Sequence, residues 1–520
     1  SYEDFPCLLE AGIDDWGGIS PVTIDHVNPE APWPDVARLE RATRAAGLEL
    51  APRLAVYPRY VAERDRWLDP AVAPAVLRRA DADGLARTER WAAGAGTPVP
   101  HLRNGNGRVR DTGVLAALAK VREEVELDED DATALLGARG GAFRAVLRAA
   151  DDLRREVCGD TVTYVVTRNV NYTNVCYFRC AFCAFSKGRL AANLRGAPYL
   201  VPLDEIVRRA QEAWERGAVE ICLQGGIHPA FTGQTYLDVC AAIKDAVPDL
   251  HVHAFSALEV WQGAATLGLR LDDYLARLRG AGLASLPGTA AEILDDEVRR
   301  VICPDKVTTA QWLRVHGAAH GLGLRSTATI MFGHVEAPRS WARHLLAVRD
   351  QQRRTGGFTE FVPLPFVHME APIYLRGRAR PGPTFREALL VHAVARLALH
   401  PWITNIQASW VKLGPDGARA ALVAGCNDLG GTLMNESISR AAGASHGQEL
   451  PPEAMEELIR SAGRTPRQRT TLYGVPPAER TRASFGAPPL AEPVNPSVND
   501  AGLTRPLRLL RPVNAAGARA

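Results

Sequence analysis

Three cysteines, Cys176, Cys180 and Cys183, stand in the spacing C-x3-C-x2-C within Asn171-Tyr-Thr-Asn-Val-Cys-Tyr-Phe-Arg-Cys-Ala-Phe-Cys-Ala-Phe-Ser186. Soft thiolates this close on one loop can hold three irons of a cubane cluster, which leaves the fourth iron open to a small molecule. A tetrahedral zinc site is the alternative. It needs a fourth ligand, and no C-x2-C or H-x3-H lies nearby, although His228 could serve. The other cysteines (Cys7, Cys158, Cys222, Cys240, Cys303, Cys426) stand singly and read as small core residues.

Further polar and flexible groups recur where apolar runs end. Gln224-Gly-Gly-Ile-His-Pro229 places Gly225 and Gly226 where a backbone can approach a ligand closely. His228 in that segment is a weak candidate for a catalytic base and otherwise a turn residue before Pro229. In His251-Val-His-Ala-Phe-Ser-Ala-Leu-Glu259, alternation puts His251, His253 and Phe255 on one face. Ser256 and Glu259 fall at the end of the run, so they are better site candidates than the histidines, and Glu259 joins His228 as a weak catalytic candidate. Leu286-Pro-Gly-Thr-Ala-Ala-Glu292 reads as a turn feeding a helix N-terminus, where backbone amides could hold a carboxylate or simply be capped. Ser326-Thr-Ala-Thr-Ile-Met-Phe-Gly-His-Val-Glu336 offers Thr327, Thr329, His334 and Glu336. Asn405, Asn427 and Asp428 are polar residues near other run ends, with no role fixed by sequence.

The elements that must position these groups alternate. Runs rich in apolar or β-branched residues occur at Thr161–Thr167, Val219–Leu223, Leu250–Ser256, Arg325–Phe332, Phe358–Phe366 and Trp402–Val411, with amphipathic helical patterns between them. One such helix opens at Pro202, carries Ile206, Ala210, Ala213 and Trp214 as its apolar stripe, and stops at Gly217. Another helical stretch, Asp128 to Val157, precedes the first strand. Strand and helix repeating in this way favour an α/β fold with a parallel sheet. Six or more units favour a TIM-type barrel, complete or partial.

A chain of 520 residues exceeds one ordinary domain. The net charge of +2 implies neither nucleic acid nor an anionic membrane as partner. Only five residues are lysine (Lys120, Lys187, Lys244, Lys306, Lys412) against many arginines. No apolar run is long enough to span a bilayer and no signal peptide opens the chain, which together with unpaired cysteines suits a reducing cytoplasm. The segment Ala11-Gly-Ile-Asp-Asp-Trp-Gly-Gly18 returns as Ala424-Gly-Cys-Asn-Asp-Leu-Gly-Gly431, an offset of 424 − 11 = 413. Arg44-Ala-Ala-Gly47 with Arg53 and Tyr57 returns as Arg460-Ser-Ala-Gly463 with Arg469 and Tyr473, at 469 − 53 = 416. Two echoes in one order argue for a duplicated module. Residues 1–93 then read as the tail of a first module, 94–122 as a linker, 123–475 as the second module, and 476–520 as a flexible tail rich in Pro and Arg.

The cysteine loop resembles that of the radical S-adenosylmethionine (SAM) enzymes. Tyr172-Thr-Asn-Val-Cys176, Cys180-Ala-Phe-Cys183, Gln224–Pro229, His253–Glu259, Ser285–Ile293 and Cys426–Gly431 resemble one subfamily. It holds the deazaflavin (FO) synthases and the menaquinone-pathway aminofutalosine and dehypoxanthine futalosine enzymes. The N-terminal Asp15-Trp-Gly-Gly-Ile-Ser-Pro-Val-Thr-Ile-Asp-His-Val-Asn-Pro-Glu30 resembles the tail of the other FO synthase component and points to the bifunctional FO synthases. The resemblance implies a [4Fe-4S] cluster on Cys176, Cys180 and Cys183. SAM would sit on the open iron, with Phe182 near the adenine, Gly225 and Gly226 at the methionine amino group, and Ser256, Glu259, Thr327 and Glu336 as further contacts. One-electron cleavage of SAM would give a 5′-deoxyadenosyl radical. That radical would take a hydrogen from L-tyrosine, and the 4-hydroxybenzyl group would pass to 5-amino-6-(D-ribitylamino)uracil. Flavodoxin or ferredoxin is implied as electron donor, and a fused upstream radical SAM module would perform ring closure.

Overall fold

The computed structural model describes residues 5–497, except 21, 25, 28, 31, 32, 34, 102–108, 110 and 187–196. Nine strands lie among them: β1 Thr161–Val165, β2 Thr167–Val170, β3 Glu220–Leu223, β4 His251–Ala254, β5 Leu283–Leu286, β6 Arg325–Phe332, β7 Phe358–Pro365, β8 Asp428–Gly431 and β9 Thr465–Arg469. Six of them form one parallel sheet in the order β2-β3-β4-β5-β6-β7, and three more form the sheet β8-β1-β9. Thr167, Glu220 and His251 share one level of the first sheet, and Asn169, Cys222, His253 and Ser285 share the level two residues on.

Backbone hydrogen bonds join the two sheets into a circuit. Gln407 N–H donates to Phe361 O of β7 at 3.0 Å, Ala408 N–H donates to Asp428 O of β8 at 2.8 Å, and Thr163 N–H of β1 donates to Asn427 O at 3.0 Å. Thr432 N–H then donates to Val165 O, and Asn169 N–H of β2 to Leu433 O. The barrel therefore closes through a minimal strand at 406–407, where a run from Trp402 to Val411 was expected; a helix already starts at Trp410. Three strands fall outside the expected runs: the four-residue β5, and β8 and β9, whose sequences Asp428-Leu-Gly-Gly431 and Thr465-Pro-Arg-Gln-Arg469 contain hardly any β-type apolar residues.

Helices cover the outside. Leu203–Glu215 buries Ile206, Ala210 and Ala213 against the sheet, with Asp204 and Glu205 in its positive first turn. Gly217 follows at φ +79°, and a Cβ there would lie 2.5 Å from Arg480 O in the helix Ala478–Ser484. Part of the expected flexible tail is thus a helix seated on that glycine, and further on Arg209 donates to Val494 O at 2.8 Å; 498–520 lie outside the described residues. Of the expected linker 94–122, residues 102–108 and 110 lie outside the described residues, and its last stretch is helical. Thr112–Arg122 is a helix with Val114, Ala117 and Leu118 buried, and Trp91 is buried with its ring 5.1 Å from that of Phe385.

The duplicated motif recurs as geometry. Asp428 Oδ1 accepts from Gly430 N–H at 2.6 Å, Arg469 donates to Asp428, and its guanidinium lies 4.0 Å from the Tyr473 ring centre. In the N-terminal segment Asp15 Oδ1 accepts from Gly17 N–H at 2.6 Å, Arg53 pairs with Asp15, and its guanidinium lies 4.3 Å from the Tyr57 ring centre.

Candidate active site

Because side chains alternate along a strand, every second residue of the barrel faces inward. Here the inward set is largely polar, and it encloses a cavity of about 410 Å³. Thr167 and Asn169 of β2, Glu220 and Cys222 of β3, Thr327 and Thr329 of β6, and Glu360 and Val362 of β7 line its walls. An ordinary barrel of this kind fills its interior with branched apolar side chains; this one is hollow and charged.

At the mouth, Cys176, Cys180 and Cys183 all face the cavity, and none is in a disulfide. Their loop is fixed by its backbone: Ala181 N–H donates to Ile302 O at 2.7 Å and Tyr177 N–H to Ile227 O at 3.2 Å. Gly226 is required by that packing, since a Cβ would stand 2.3 Å from Val175 O and 3.0 Å from Cys176 Cβ; at Gly225 it would strike the Tyr172 ring at 2.4 Å. The glycine pair therefore presses on the cysteine loop as well as lining the cavity. Burial pushes the Cys176 thiol up to about 11 and raises Cys180 and Cys183 too, with the Lys306 ammonium pulling each of them down. A cationic group bound among them would relieve the same penalty. Among the described residues no three His, Cys, Asp or Glu side chains converge closely enough for one metal ion. In a cubane each thiolate holds a different iron, so three ligands of one cluster need not converge on a single ion.

Around this mouth the structure gathers Phe182, Gly225, Gly226, Ser256, Glu259 and Thr327 on the cavity wall. Glu259 is buried. Its Oε2 accepts from Ser256 N–H at 2.6 Å and Oγ–H at 2.5 Å, its Oε1 accepts from the Tyr172 hydroxyl, and burial raises its pKa. Ser256 caps the helix Ala257–Thr266 through a capping box with Glu259, so the two are locked by local sequence. Thr327 and Thr329 are engaged too: Gly288 N–H donates to Thr327 Oγ1 and Thr329 Oγ1–H donates to Gly288 O, both at 2.8 Å. They hold the Pro287–Ala290 turn against β6, where a Cβ on Gly288 would lie 2.7 Å from Thr329 N.

Two expected residues are not at the cavity. Glu336 sits inside its own loop, accepting from Val335 N–H at 2.8 Å and Trp341 Nε1–H at 2.7 Å, with His334 Nδ1 at 2.6 Å. Burial opposes its charge, but His334, Arg380 and the loop amides outweigh that and hold its pKa well below the carboxylate range. A carboxylate so engaged anchors its loop, and Glu336 is not among the residues that line the cavity. His228 Nδ1 accepts from Ala230 N–H at 3.1 Å, its ring lies 5.1 Å from that of Phe231, and it is not among the residues that line the cavity; its Nε2 is buried without a partner among the described residues. His251 and His253 both meet Ser285 Oγ at 2.7 Å.

Several cavity residues were not singled out as site residues from sequence. Lys306 pairs with Glu292 at 2.6 Å and lies 5.6 Å from the Phe182 ring centre. Lys412 and Glu436 line the cavity too, and Glu220, Glu360 and Arg469 form its floor. The scarcity of lysine was the available signal, because two of the five lysines face this one cavity. Strain is concentrated here as well: Phe255, Ala290, Glu292, Leu433, Met434 and Asn435 all have positive φ without being glycine.

Residues 170–347 match the Radical SAM superfamily and residues 355–481 the CofH/MqnC C-terminal region. The chain is 48% identical over 525 residues to the FO synthase of Streptomyces coelicolor, covering 92% of this chain and 60% of that protein. It is 49% identical over 362 residues to the 5-amino-6-(D-ribitylamino)uracil–L-tyrosine 4-hydroxyphenyl transferase of Methanopyrus kandleri, covering 68% of this chain and 97% of the relative. Among solved structures, methylornithine synthase (TM-score 0.54, 17% identity, 67% of this chain and 97% of that one) shares the fold. So does the hydrogenase maturase HydG of Carboxydothermus hydrogenoformans (TM-score 0.52, 16% identity, 70% and 81%). The chain thus spans about 60% of the length of the FO synthases it matches. It belongs to the radical SAM superfamily, whose members use a [4Fe-4S] cluster and SAM, and within it to the family of the FO synthases and the ribitylaminouracil–tyrosine 4-hydroxyphenyl transferases.

Proposed function

We propose that this chain transfers the 4-hydroxybenzyl group of L-tyrosine to 5-amino-6-(D-ribitylamino)uracil. The observation that carries this reading is the match to a transferase of that name over 97% of its length, by a chain whose three loop cysteines face one hollow barrel. When bound, the cluster and SAM would supply the one-electron cleavage that yields a 5′-deoxyadenosyl radical. Cys176, Cys180 and Cys183 would hold the cluster. Phe182, Gly225, Gly226, Ser256, Glu259 and Thr327 would face SAM. The barrel wall would keep other molecules with weak C–H or S–H bonds from the reacting centre, which matters because a primary carbon radical abstracts hydrogen from any such donor within reach.

The upstream part of the proposal concerns residues 1–93, read as the closing segment of a preceding homologous module that performs ring closure. The repeated Asp–Arg–Tyr geometry supports it. A small one-electron protein of the flavodoxin or ferredoxin type would reduce the cluster, and the cytoplasm is the fitting compartment. Among the described residues no helix is long and apolar enough to cross a membrane.

Anaerobic reconstitution followed by assay for tyrosine-dependent 5′-deoxyadenosine tests the reading. The expected result is turnover with tyrosine, an adduct when ribitylaminouracil is added, and loss of both in Cys180→Ala. Zinc without acid-labile sulfide, or turnover of a chorismate-derived enol ether in place of tyrosine, would overturn it.

A further inference from the structure

The cavity wall formed by β2, the segment after β8 and the helix that starts at Trp410 carries a built pair of opposite charges. Lys412 reaches the cavity from the helix that starts at Trp410, and Glu436 from the segment just after β8. Both are set by one residue: Lys412 Nζ donates to Ser439 Oγ at 2.8 Å, and Ser439 N–H donates to Glu436 Oε1 at 2.8 Å. Glu436 is 5% exposed, and its second oxygen, Oε2, has no hydrogen-bond partner among the described residues. Asn169 Oδ1 on β2 lines the same cavity and is likewise buried without a partner.

Leaving a buried carboxylate oxygen unsatisfied costs more than an ordinary hydrogen bond returns, so such an atom calls for a ligand. The backbone leading to it carries a further cost. Leu433, Met434 and Asn435 take φ of 70°, 26° and 68° in succession, in the left-handed region that side chains disfavour. The segment is held there by Asn169 N–H donating to Leu433 O and by Arg168 donating to Asn435 Oδ1 at 2.8 Å. Strain kept in place by buried partners is typical of backbone that aims a functional side chain. Here the side chain it delivers is Glu436.

A site offering an ammonium on one side and free acceptor oxygens on the other complements a zwitterion. We propose that Lys412, Glu436 and Asn169 are the head-group subsite for a free α-amino acid. Lys412 takes the α-carboxylate, and Glu436 Oε2 and Asn169 Oδ1 take the α-ammonium. This rests on the reading of L-tyrosine as substrate and adds to it the residues that select a zwitterion. Ser439 is a positioning residue, since it sets the distance between the two charges. The alternative occupant of such a bracket, the methionine end of SAM, is instead expected at the cysteine loop and Gly225–Gly226.

The test is equilibrium binding of L-tyrosine to the reconstituted holoenzyme in the presence of SAM, read by calorimetry, for wild type, Lys412→Met and Glu436→Gln. Iron content and SAM affinity serve as controls for folding. Each variant should lose tyrosine affinity by on the order of tenfold or more, the worth of a charge-assisted hydrogen bond. Two analogues assign the roles. Tyramine, which lacks the carboxylate, should bind Lys412→Met and wild type alike. 3-(4-Hydroxyphenyl)propanoate, which lacks the ammonium, should bind Glu436→Gln at least as well as wild type. Wild-type tyrosine affinity in both variants, a loss shared equally by the truncated analogues, or a loss that falls on SAM would overturn the subsite while leaving tyrosine as substrate. A wild-type holoenzyme that does not bind tyrosine would remove the functional reading itself.

Discussion

The chain holds the same three-residue clasp twice, and the two copies differ in almost nothing but their surroundings. In each, an aspartate accepts from the N–H of a glycine two residues on, an arginine donates to that aspartate, and the guanidinium stacks on a tyrosine four residues later. Each arginine also donates to the carbonyl of the next residue, Leu54 or Thr470. The barrel copy is sealed: Arg469 is 3% exposed and Asp428 0%, against 23% for both Arg53 and Asp15. In the barrel, Asp428 additionally accepts from Thr163 Oγ1–H at 2.5 Å, and Arg469 donates to Glu360 at 3.1 Å. Among the described residues no barrel strand surrounds the N-terminal copy, and Val22, Ile24 and Val27, close to it in sequence, are largely exposed. Local sequence therefore suffices to build the clasp. What it is worth depends on the strands that bury it.

That contrast is broken most severely at Arg469. Arg469→Ala leaves Asp428 and Glu360 buried without a cation, and removing one partner of a buried pair costs about 3–5 kcal/mol. Urea denaturation should show a correspondingly lower midpoint, and a variant as stable as wild type would mean that the barrel does not depend on its floor. Arg469→Lys should recover only part of the loss, because one ammonium cannot match the two-pronged contact with Asp428.

A finer probe is Glu360, which makes the buried clasp a cluster of one cation and two carboxylates. Burial pushes its carboxyl up to about 7, with Asp428 and Glu220 adding to the rise and Arg469 and the Tyr473 hydroxyl opposing it. A folded-state pKa raised above the ordinary 4.5 means that the protonated form favours folding. Stability from this group is fully present below about pH 4.5 and is lost as pH rises through about 7. Glu360→Gln removes the titration. Variant and wild type should match near pH 4.5, and the variant should be more stable by roughly 1–3 kcal/mol at pH 8. Parallel stability curves across that range would show that Glu360 stays charged in the folded protein.

The sequence exposed one half of this site and concealed the other, for a physical reason. Thiolates on a short loop, glycines at strand ends and a Ser–Glu capping box are local patterns, so the cysteine loop, Gly225–Gly226 and Ser256–Glu259 were legible. Most of the strand alternation that gives the barrel was legible too; β5, the 406–407 strand and the polar or glycine-rich β8 and β9 were not. Lys412, Glu436 and Asn169 meet only because β8 is drawn beside β1 from more than two hundred residues away, and no local pattern marks such a meeting. Glu336 shows the opposite limit of reading locally. Its place after a strand looked like a ligand contact, but the loop folds back and consumes every oxygen it offers. The repeat at offsets 413 and 416 named Arg469 and Tyr473 without saying that Arg469 lines the cavity.

The smallest effect belongs to the N-terminal clasp, and it is the one that sharpens the comparison most. Exposed ion pairs contribute little and are screened by salt, so Arg53→Ala should leave the unfolding transition of this chain unchanged within error. The Asp15 carboxyl, whose pKa is lowered by its hydrogen bonds to Arg53 and Gly17, should move toward the ordinary value in that variant, as read by NMR titration. If residues 11–57 close a preceding barrel, the same substitution in a chain that also carries that barrel should become destabilising in the manner of Arg469→Ala. Silence in both settings would show that the N-terminal clasp is a relic of duplication with no strands to serve. A cost that appears only when the preceding barrel is present would show that burial alone separates the two copies.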